Sequence, residues 1–406
     1  NGYGKTTFLK IINNLLTCNF WFFYLLKFKE IQIFFRNGMN ISIQKKRIEA
    51  EDNNREDRTP ASLKEKVFFR LNANEAYIEE FSLSYSDILR LRRQLLPTLS
   101  YRQTEEYDIE ELLNKEYNID SDISILEKSK NIRMFLQERK CSFIKEQRII
   151  ASTQHSGYDG RRRLLNQFEI DDIAAQLIKE FAKQQMEFAS ESQKIDSTFI
   201  KRLVEGTYNK YKEAEFQEKL SKLKAKINNY KEYGLMPQID ILEEYPEHLQ
   251  NVLSLYIDDM EQKMSSFDKF YKQLSLFDRF VSGKVLSNKK IKLNEVKGVS
   301  VINDKGEEVP LRKLSSGEQN LIILYYKLAF STDMRTVLLI DEPENSLHMA
   351  WVSQMLEDYQ KMAEELKCQI IIATHSPAFI NEHWDISCDL YTNNEENNHA
   401  EFAECK

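Results

Sequence analysis

Hydrophobic and polar positions along this 406-residue chain keep a helical period through the middle and gather into short strand-like runs nearer the ends. Phe8, Leu9, Ile11, Ile12, Leu15 and Leu16 recur at the spacing of one helix face. The apolar run FWFFYLL (Phe20 to Leu26) and the alternating FKEIQIFF after it read as two short buried strands. Residues 45–66 read as a charged loop, and Val67 to Leu71 as a short strand before helices rich in Leu, Arg and Glu. Ser142 to Ile150 reads as a further strand ending. From Asn166 to Ala189 the positions Ile170, Ile173, Leu177, Phe181 and Phe188 keep helical spacing. Phe216, Leu220, Leu223, Ile227 and Tyr230 then form a heptad seam that stops at Gly234. A second seam runs through Leu253, Ile257, Met260, Met264, Phe267, Tyr271 and Leu274. The two seams predict an antiparallel helix pair about 40 Å long, either a projecting arm or a bundle packed on the body.

Residues 290–311 return to strand character, with Asn303 to Glu308 as a hairpin turn. Leu314-Ser315-Ser316-Gly317-Glu318-Gln319 opens a helix carrying Leu321, Ile322, Tyr325, Leu328 and Ala329. The fully apolar TVLLI (Thr336 to Ile340) predicts a strand covered on both faces. A helix from about Met349 to Leu366 and a second apolar strand, Gln369 to Ala373, complete a βαβ unit. Ligands in such sheets sit beyond the carboxyl ends of the strands, where Asp341-Glu342-Pro343 and Thr374-His375-Ser376-Pro377 fall.

Composition narrows the class. With 11 Gly and 7 Pro, the chain is too poor in turn formers for a collagen-like or turn-dense all-β protein. The balance of 57 basic and 64 acidic side chains leaves no global positive field for nucleic acid, although Arg161-Arg162-Arg163 is a local basic cluster or a solvated helix start. Five scattered cysteines without a CxxC pair read as reduced cytosolic thiols. No run approaches the roughly 20 apolar residues of a membrane span, so a cytoplasmic chain is expected.

Three polar clusters could carry chemistry. Asn1-Gly2-Tyr3-Gly4-Lys5-Thr6-Thr7 matches the second half of a phosphate-binding P-loop, or else a glycine-containing turn. In the first reading Gly4 admits a phosphate to the helix amides, Lys5 neutralises its charge and the Thr6 hydroxyl ligates Mg²⁺. The strand and first glycine that normally precede such a loop are expected upstream of Asn1, and a chain lacking them is expected to bind ATP poorly. Ser315, Ser316 and Gly317 offer a second anion nest, or an ordinary N-cap box of Ser315 with Glu318. Asp341 could hold Mg²⁺ and Glu342 could polarise an attacking water, unless the pair only favours a helix start. His375 is a catalytic candidate or a strand-end hydrogen-bonding residue.

Taken in order, these segments resemble the ABC-type ATPases. NGYGKTT is similar to the end of Walker A, LSSGEQ to the signature, VLLIDEPENSLH to Walker B running into the D-loop, and ATHSP to the switch-histidine segment. The resemblance implies an α/β P-loop NTPase, an ABC-ATPase head with a mixed β-sheet and a short coiled-coil-like helical insertion. An N-terminal lobe would span 1–150, the insertion 151–289 and a C-terminal lobe 290–406. It implies ATP and Mg²⁺ bound by Asn1, Gly2, Gly4, Lys5, Thr6 and Thr7, with Asp341 and Gln147 (or an exposed strand-end glutamine) at the metal. Glu342 would be the general base and His375 the γ-phosphate sensor. It further implies a head-to-head homodimer in which Ser315, Ser316, Gly317 and Glu318 reach the partner's ATP.

LSSGEQ with DEPENSLH looks like the branch containing RecF, the OLD family, chromosome-maintenance heads and stand-alone ATPases of bacterial anti-phage modules. The stretch after His375 is too short for a nuclease domain, so a separate effector chain, a nuclease or toxin, is expected. A RecF-like DNA-repair role with DNA or RNA bound is the alternative, and a transporter subunit a remote one.

Overall fold

The computed structural model describes residues 4–47, 65–74, 76–84, 87, 128–146, 150–156, 162–236, 245–282, 284, 288–331 and 335–390. In chain order the elements begin with helix α1 (Lys5–Leu16), a single helical turn α2 (Phe22–Leu25), and strands β1 (Glu30–Phe34), β2 (Met39–Arg47), β3 (Glu65–Ala73) and β4 (Ala76–Ser84). Next come α3 (Lys130–Gln137), β5 (Lys140–Ile144), β6 (Ile150–Ser156) and β7 (Arg162–Phe168). The helices α4 (Glu169–Glu205), α5 (Glu213–Glu232), α6 (Gln250–Ser265) and α7 (Asp268–Ser282) follow. The chain continues through β8 (Lys289–Asn294), β9 (Gly298–Asn303), β10 (Glu308–Val309), α8 (Ser316–Phe330), β11 (Thr336–Asp341), α9 (Met349–Leu366), β12 (Gln369–Ala373) and α10 (Pro377–Ile380).

A parallel sheet of order β12-β11-β5 positions the site. Asp341 is paired with Ala373, and Ile340 with both Ile372 and Ile144, so the three strands end at nearly one level. The pleat sends Leu339 to α1, where it meets Leu9 and Ala373. Leu338 and Ile340 point the other way and join the cluster built by α8 and α9. Burial on both faces is why TVLLI carries no alternating polar residue.

The βαβ expectation holds, with α9 and β12 at the expected bounds. The hairpin turn at Asn303 to Glu308 is also present, its Asn303 side chain accepting from the Lys305 and Glu307 amides. FWFFYLL departs from expectation: only the FKEIQIFF part forms a strand, and the first part holds the turn α2. Phe20, Trp21, Phe23 and Tyr24 are all buried, and Phe20 and Phe23 pack edge-on to Phe69 of β3. A short run that is apolar at every position has no period to distinguish a strand from a buried turn. Strand β4, expected as helix, pairs with β3 and buries Phe81 and Leu83. The segment Ser142 to Ile150 spans the end of β5 and the start of β6 rather than one strand.

The first heptad seam is α5, with all five of its apolar positions buried. The second seam is divided between α6 and α7 at Ser266. Ser265 and Ser266 turn their hydroxyls back onto the carbonyls of Gln262 and Lys263, and the Phe267 amide bonds to Met264, a tightened turn that interrupts the helix. Phe267 stays buried, which preserves the heptad spacing across the break. These helices pack on the body: one apolar cluster includes Phe216, Leu220 and Met264 together with Leu338 and Ile340 of the sheet. The 37-residue α4 ends at Gly206, whose φ of 70° suits a left-handed helix cap.

Candidate nucleotide site

Along α1, Leu9 packs beside Ala373 at the carboxyl end of β12, while Asn13 accepts from the Cys141 thiol near the start of β5. The helix therefore runs antiparallel to the strands, and its N-terminus lies at their carboxyl edge. Gly4 is the N-cap, with φ of 82° and ψ of 13°, and no side chain caps the helix. The first-turn amides of an α-helix have no intrahelical acceptors, so those of Lys5, Thr6 and Thr7 are available to an anion. Thr6 and Thr7 are exposed and Lys5 half-buried. Asn1, Gly2 and Gln147 lie outside the described residues.

At the end of β11, Asp341 is buried, and Glu342 takes a left-handed φ of 44°. The Glu342 amide bonds to the Ala373 carbonyl at 2.8 Å, joining the turn after β11 to the end of β12. His375 Nδ1 is 3.0 Å from Glu342 Oε1. Below them Glu344, its side chain 8% exposed, accepts from the Thr374 hydroxyl at 2.5 Å and the His375 amide at 3.2 Å. Asn345 donates to Glu146 beyond β5 at 2.7 Å, so turns after all three strands are linked. The structure thus brings Asp341, Glu342 and His375 to one edge. Glu344 and Asn345 were not among the sequence candidates. An acidic residue after Pro343 reads as an ordinary loop carboxylate until the fold places Thr374 beside it.

Ser315 is the N-cap of α8, and both halves of its capping box form. Glu318 Oε2 accepts from the Ser315 amide and hydroxyl, each at 2.9 Å, and its other oxygen meets Lys289 Nζ at 2.7 Å. Burial on its own would raise the Glu318 pKa; Lys289 and the Ser315 donors outweigh it and hold the carboxyl below the usual range. The Glu318 carboxylate is thereby turned inward as a buried brace, while Ser316 remains exposed. Gly317 is required by contact: a Cβ there would stand 2.8 Å from the carbonyl oxygen of Ser346. The loop opening α8 and the loop after β11 are consequently packed backbone to backbone.

A family profile for the AAA ATPase domain matches residues 1–380. The chain belongs to the AAA ATPase domain family. It is accordingly a nucleotide-binding ATPase domain of the α/β P-loop class. No curated protein matches it. Among solved structures it is similar to an Smc head domain with an extended coiled coil, bound to the C-terminal domain of ScpA, from Pyrococcus furiosus. That likeness has 15% identity, 84% coverage of this chain and 72% of the other, and a TM-score of 0.27. An SmcHead bound to the C-winged helix domain of ScpA gives 12% identity, 94% and 81% coverage and a TM-score of 0.33. An Smc head domain with a coiled coil and joint from Pyrococcus yayanosii gives 14%, 84%, 78% and 0.22. Among the described residues no helix is long and apolar enough to cross a membrane.

The hard oxygen donors of the Thr6 hydroxyl and the Asp341 carboxylate suit Mg²⁺, which in nucleotide sites takes one or two carboxylates and keeps several waters. Such a site needs no larger cluster, and among the described residues no group of three His, Cys, Asp or Glu could hold a metal.

Proposed function

We propose that this ATPase is of the ABC type and hydrolyses ATP between two copies of itself. The observation that carries the reading is the convergence of the α1 N-terminus, Asp341, Glu342 and His375 at one sheet edge, with His375 against Glu342. Lys5 and the amides of Thr6 and Thr7 bind the phosphates, and Thr6 and Asp341 hold Mg²⁺, with Gln147 as a third oxygen donor. Mg²⁺ supplies charge neutralisation on the phosphate oxygens. Glu342 accepts a proton from the water that attacks the γ-phosphate. His375, which rests with Nδ1 on Glu342, turns its ring to the γ-phosphate when ATP is bound. The exposed loop of Ser315, Ser316 and Gly317 completes the partner's site, which makes the catalytic unit a head-to-head homodimer.

We further infer that ATP-gated pairing controls a separate effector, a nuclease or toxin, in anti-phage defence. What supports this reading is the likeness of LSSGEQ and DEPENSLH to the branch that includes such ATPases. Glu342→Gln removes the base while keeping the volume, so the variant should bind ATP, stay paired and hydrolyse it at least about 100-fold more slowly. Light scattering with ATP and Mg²⁺ should give a dimer mass for Glu342→Gln. A monomer under those conditions, or undiminished hydrolysis, refutes the proposal.

A further inference from the structure

Glu344 makes no hydrogen bond to either side chain assigned to the reaction, yet its carboxylate links the two segments that carry them. Oε1 takes the Thr374 hydroxyl at 2.5 Å and the His375 amide at 3.2 Å. Thr374 Oγ1 in turn accepts the Ser376 amide at 3.0 Å, so one carboxylate oxygen orders three consecutive residues after β12. The same oxygen lies 3.6 Å from His375 Nδ1, outside hydrogen-bonding distance, whereas Glu342 Oε1 lies at 3.0 Å. The imidazole therefore belongs to Glu342 and the backbone beneath it to Glu344. The carboxylate is held in place from its own side as well: the Glu344 carbonyl accepts from Leu347, and Asn345 is tied to Glu146. Its Oε2 is buried and has no hydrogen-bond partner among the described residues, so no water-facing contact competes for the group.

We propose that Glu344 is a positioning residue for hydrolysis. It clamps the backbone of Thr374 and His375 so that the imidazole can exchange Glu342 for the γ-phosphate without the segment moving. The proposal rests on the ATPase reading of Glu342 and His375, and it adds that the switch lies in a side chain above a fixed main chain. A charge-assisted pair of hydrogen bonds to one buried oxygen is suited to this, being short, strong and directional.

The test uses the full chain and the variants Glu344→Ala, Thr374→Val, Thr374→Ser and Glu342→Gln. Loss of the clamp displaces the imidazole, and a misplacement of about 1 Å can cost about 100-fold. Glu344→Ala and Thr374→Val should therefore lower kcat by about 10- to 100-fold with KM for ATP within about threefold. Thr374→Ser, which keeps the hydroxyl, should restore most of the rate. The double variant Glu344→Ala/Thr374→Val should lose less than the product of the two single losses, because the bond between the Thr374 hydroxyl and Glu344 is common to both. Independently of activity, hydrogen exchange of the peptide covering 369–380 should quicken about tenfold or more in Glu344→Ala and stay unchanged in Glu342→Gln. Wild-type kcat in Glu344→Ala, or a loss that Thr374→Ser fails to rescue, overturns the positioning role. If the wild-type chain does not hydrolyse ATP, or Glu342→Gln hydrolyses it normally, the ATPase reading is what fails; the exchange rate then decides the clamp, and an unchanged rate rejects it.

Discussion

Lys289→Met isolates the brace under the loop that opens α8. Lys289 Nζ and Glu318 Oε1 are 2.7 Å apart, with the Glu318 side chain 6% exposed and Lys289 24% exposed. At an effective dielectric of about 20, two unit charges at that separation attract by about 6 kcal/mol, and desolvating them costs several kcal/mol per ion. The net worth of the intact pair is therefore small. Removing only the lysine is different, because it leaves the desolvated carboxylate with the two Ser315 donors alone. Partial exposure of the lysine end moderates this, so the loss should be about 2–4 kcal/mol, below the fully buried range. Lys289→Met/Glu318→Gln, which removes the stranded charge, should recover at least about half of it. The pH dependence has a definite sign. A carboxyl held below its usual range contributes stability above its unfolded pKa, and that contribution disappears as pH falls through the lower folded value. In Lys289→Met the lowering influence of the lysine is lost and the carboxyl rises from its wild-type value, so the deficit relative to wild type should be full at pH 7 and shrink toward pH 4. Urea unfolding at both pH values gives these numbers. A Lys289→Met loss under about 0.5 kcal/mol at pH 7, or a deficit that grows on acidification, would refute the reasoning.

Gly4→Ala meets open space but a left-handed backbone, which costs an L-residue about 1–2 kcal/mol; nucleotide affinity should fall about tenfold by a titrated binding isotherm. Gly317→Ala drives a methyl to 2.8 Å from the Ser346 carbonyl, and an overpacking loss of about 1–3 kcal/mol should appear in urea unfolding. Asp259 of α6 accepts from both terminal nitrogens of Arg202 on α4, at 2.5 and 2.7 Å, and its side chain is 5% exposed. Asp259→Ala should destabilise the chain by about 3 kcal/mol, and Arg202→Met/Asp259→Leu should be less harmful than the single change.

The parts of the fold legible in the chain were those where one pattern admitted one geometry. TVLLI and QIIIA, apolar at every position after the first and separated by a single helical stretch, fit a covered parallel sheet, and the ends of those strands placed Asp341, Glu342 and His375 together. Phe216 to Tyr230 gave α5 because a five-position seam leaves no other face to bury. Where the pattern was degenerate, it failed. Phe22 to Leu25 has no polar position to set a phase, and the Glu79-Glu80 pair in β4 interrupts the alternation that Phe81 and Leu83 continue. The break at Ser266 is silent in the hydrophobic pattern because Phe267 stays buried through it. Glu344 and Lys289 were invisible for another reason: their partners, Thr374 and Glu318, are 30 and 29 residues away, and only the closed fold brings them within a bond.

The single apolar cluster running from α5 through α8 into β11 has a mechanical consequence. A hinge between the helical region and the parallel sheet would have to open that cluster, and close-packed interiors resist such shear. Displacement at the far end of α5 or α6 is instead carried through side-chain contacts to the strand that ends in Asp341. Packed in this way the helices would load the sheet as a stiff lever, and a molecule bound to their outer surface would strain the strand that ends in Asp341 rather than swing freely beside it.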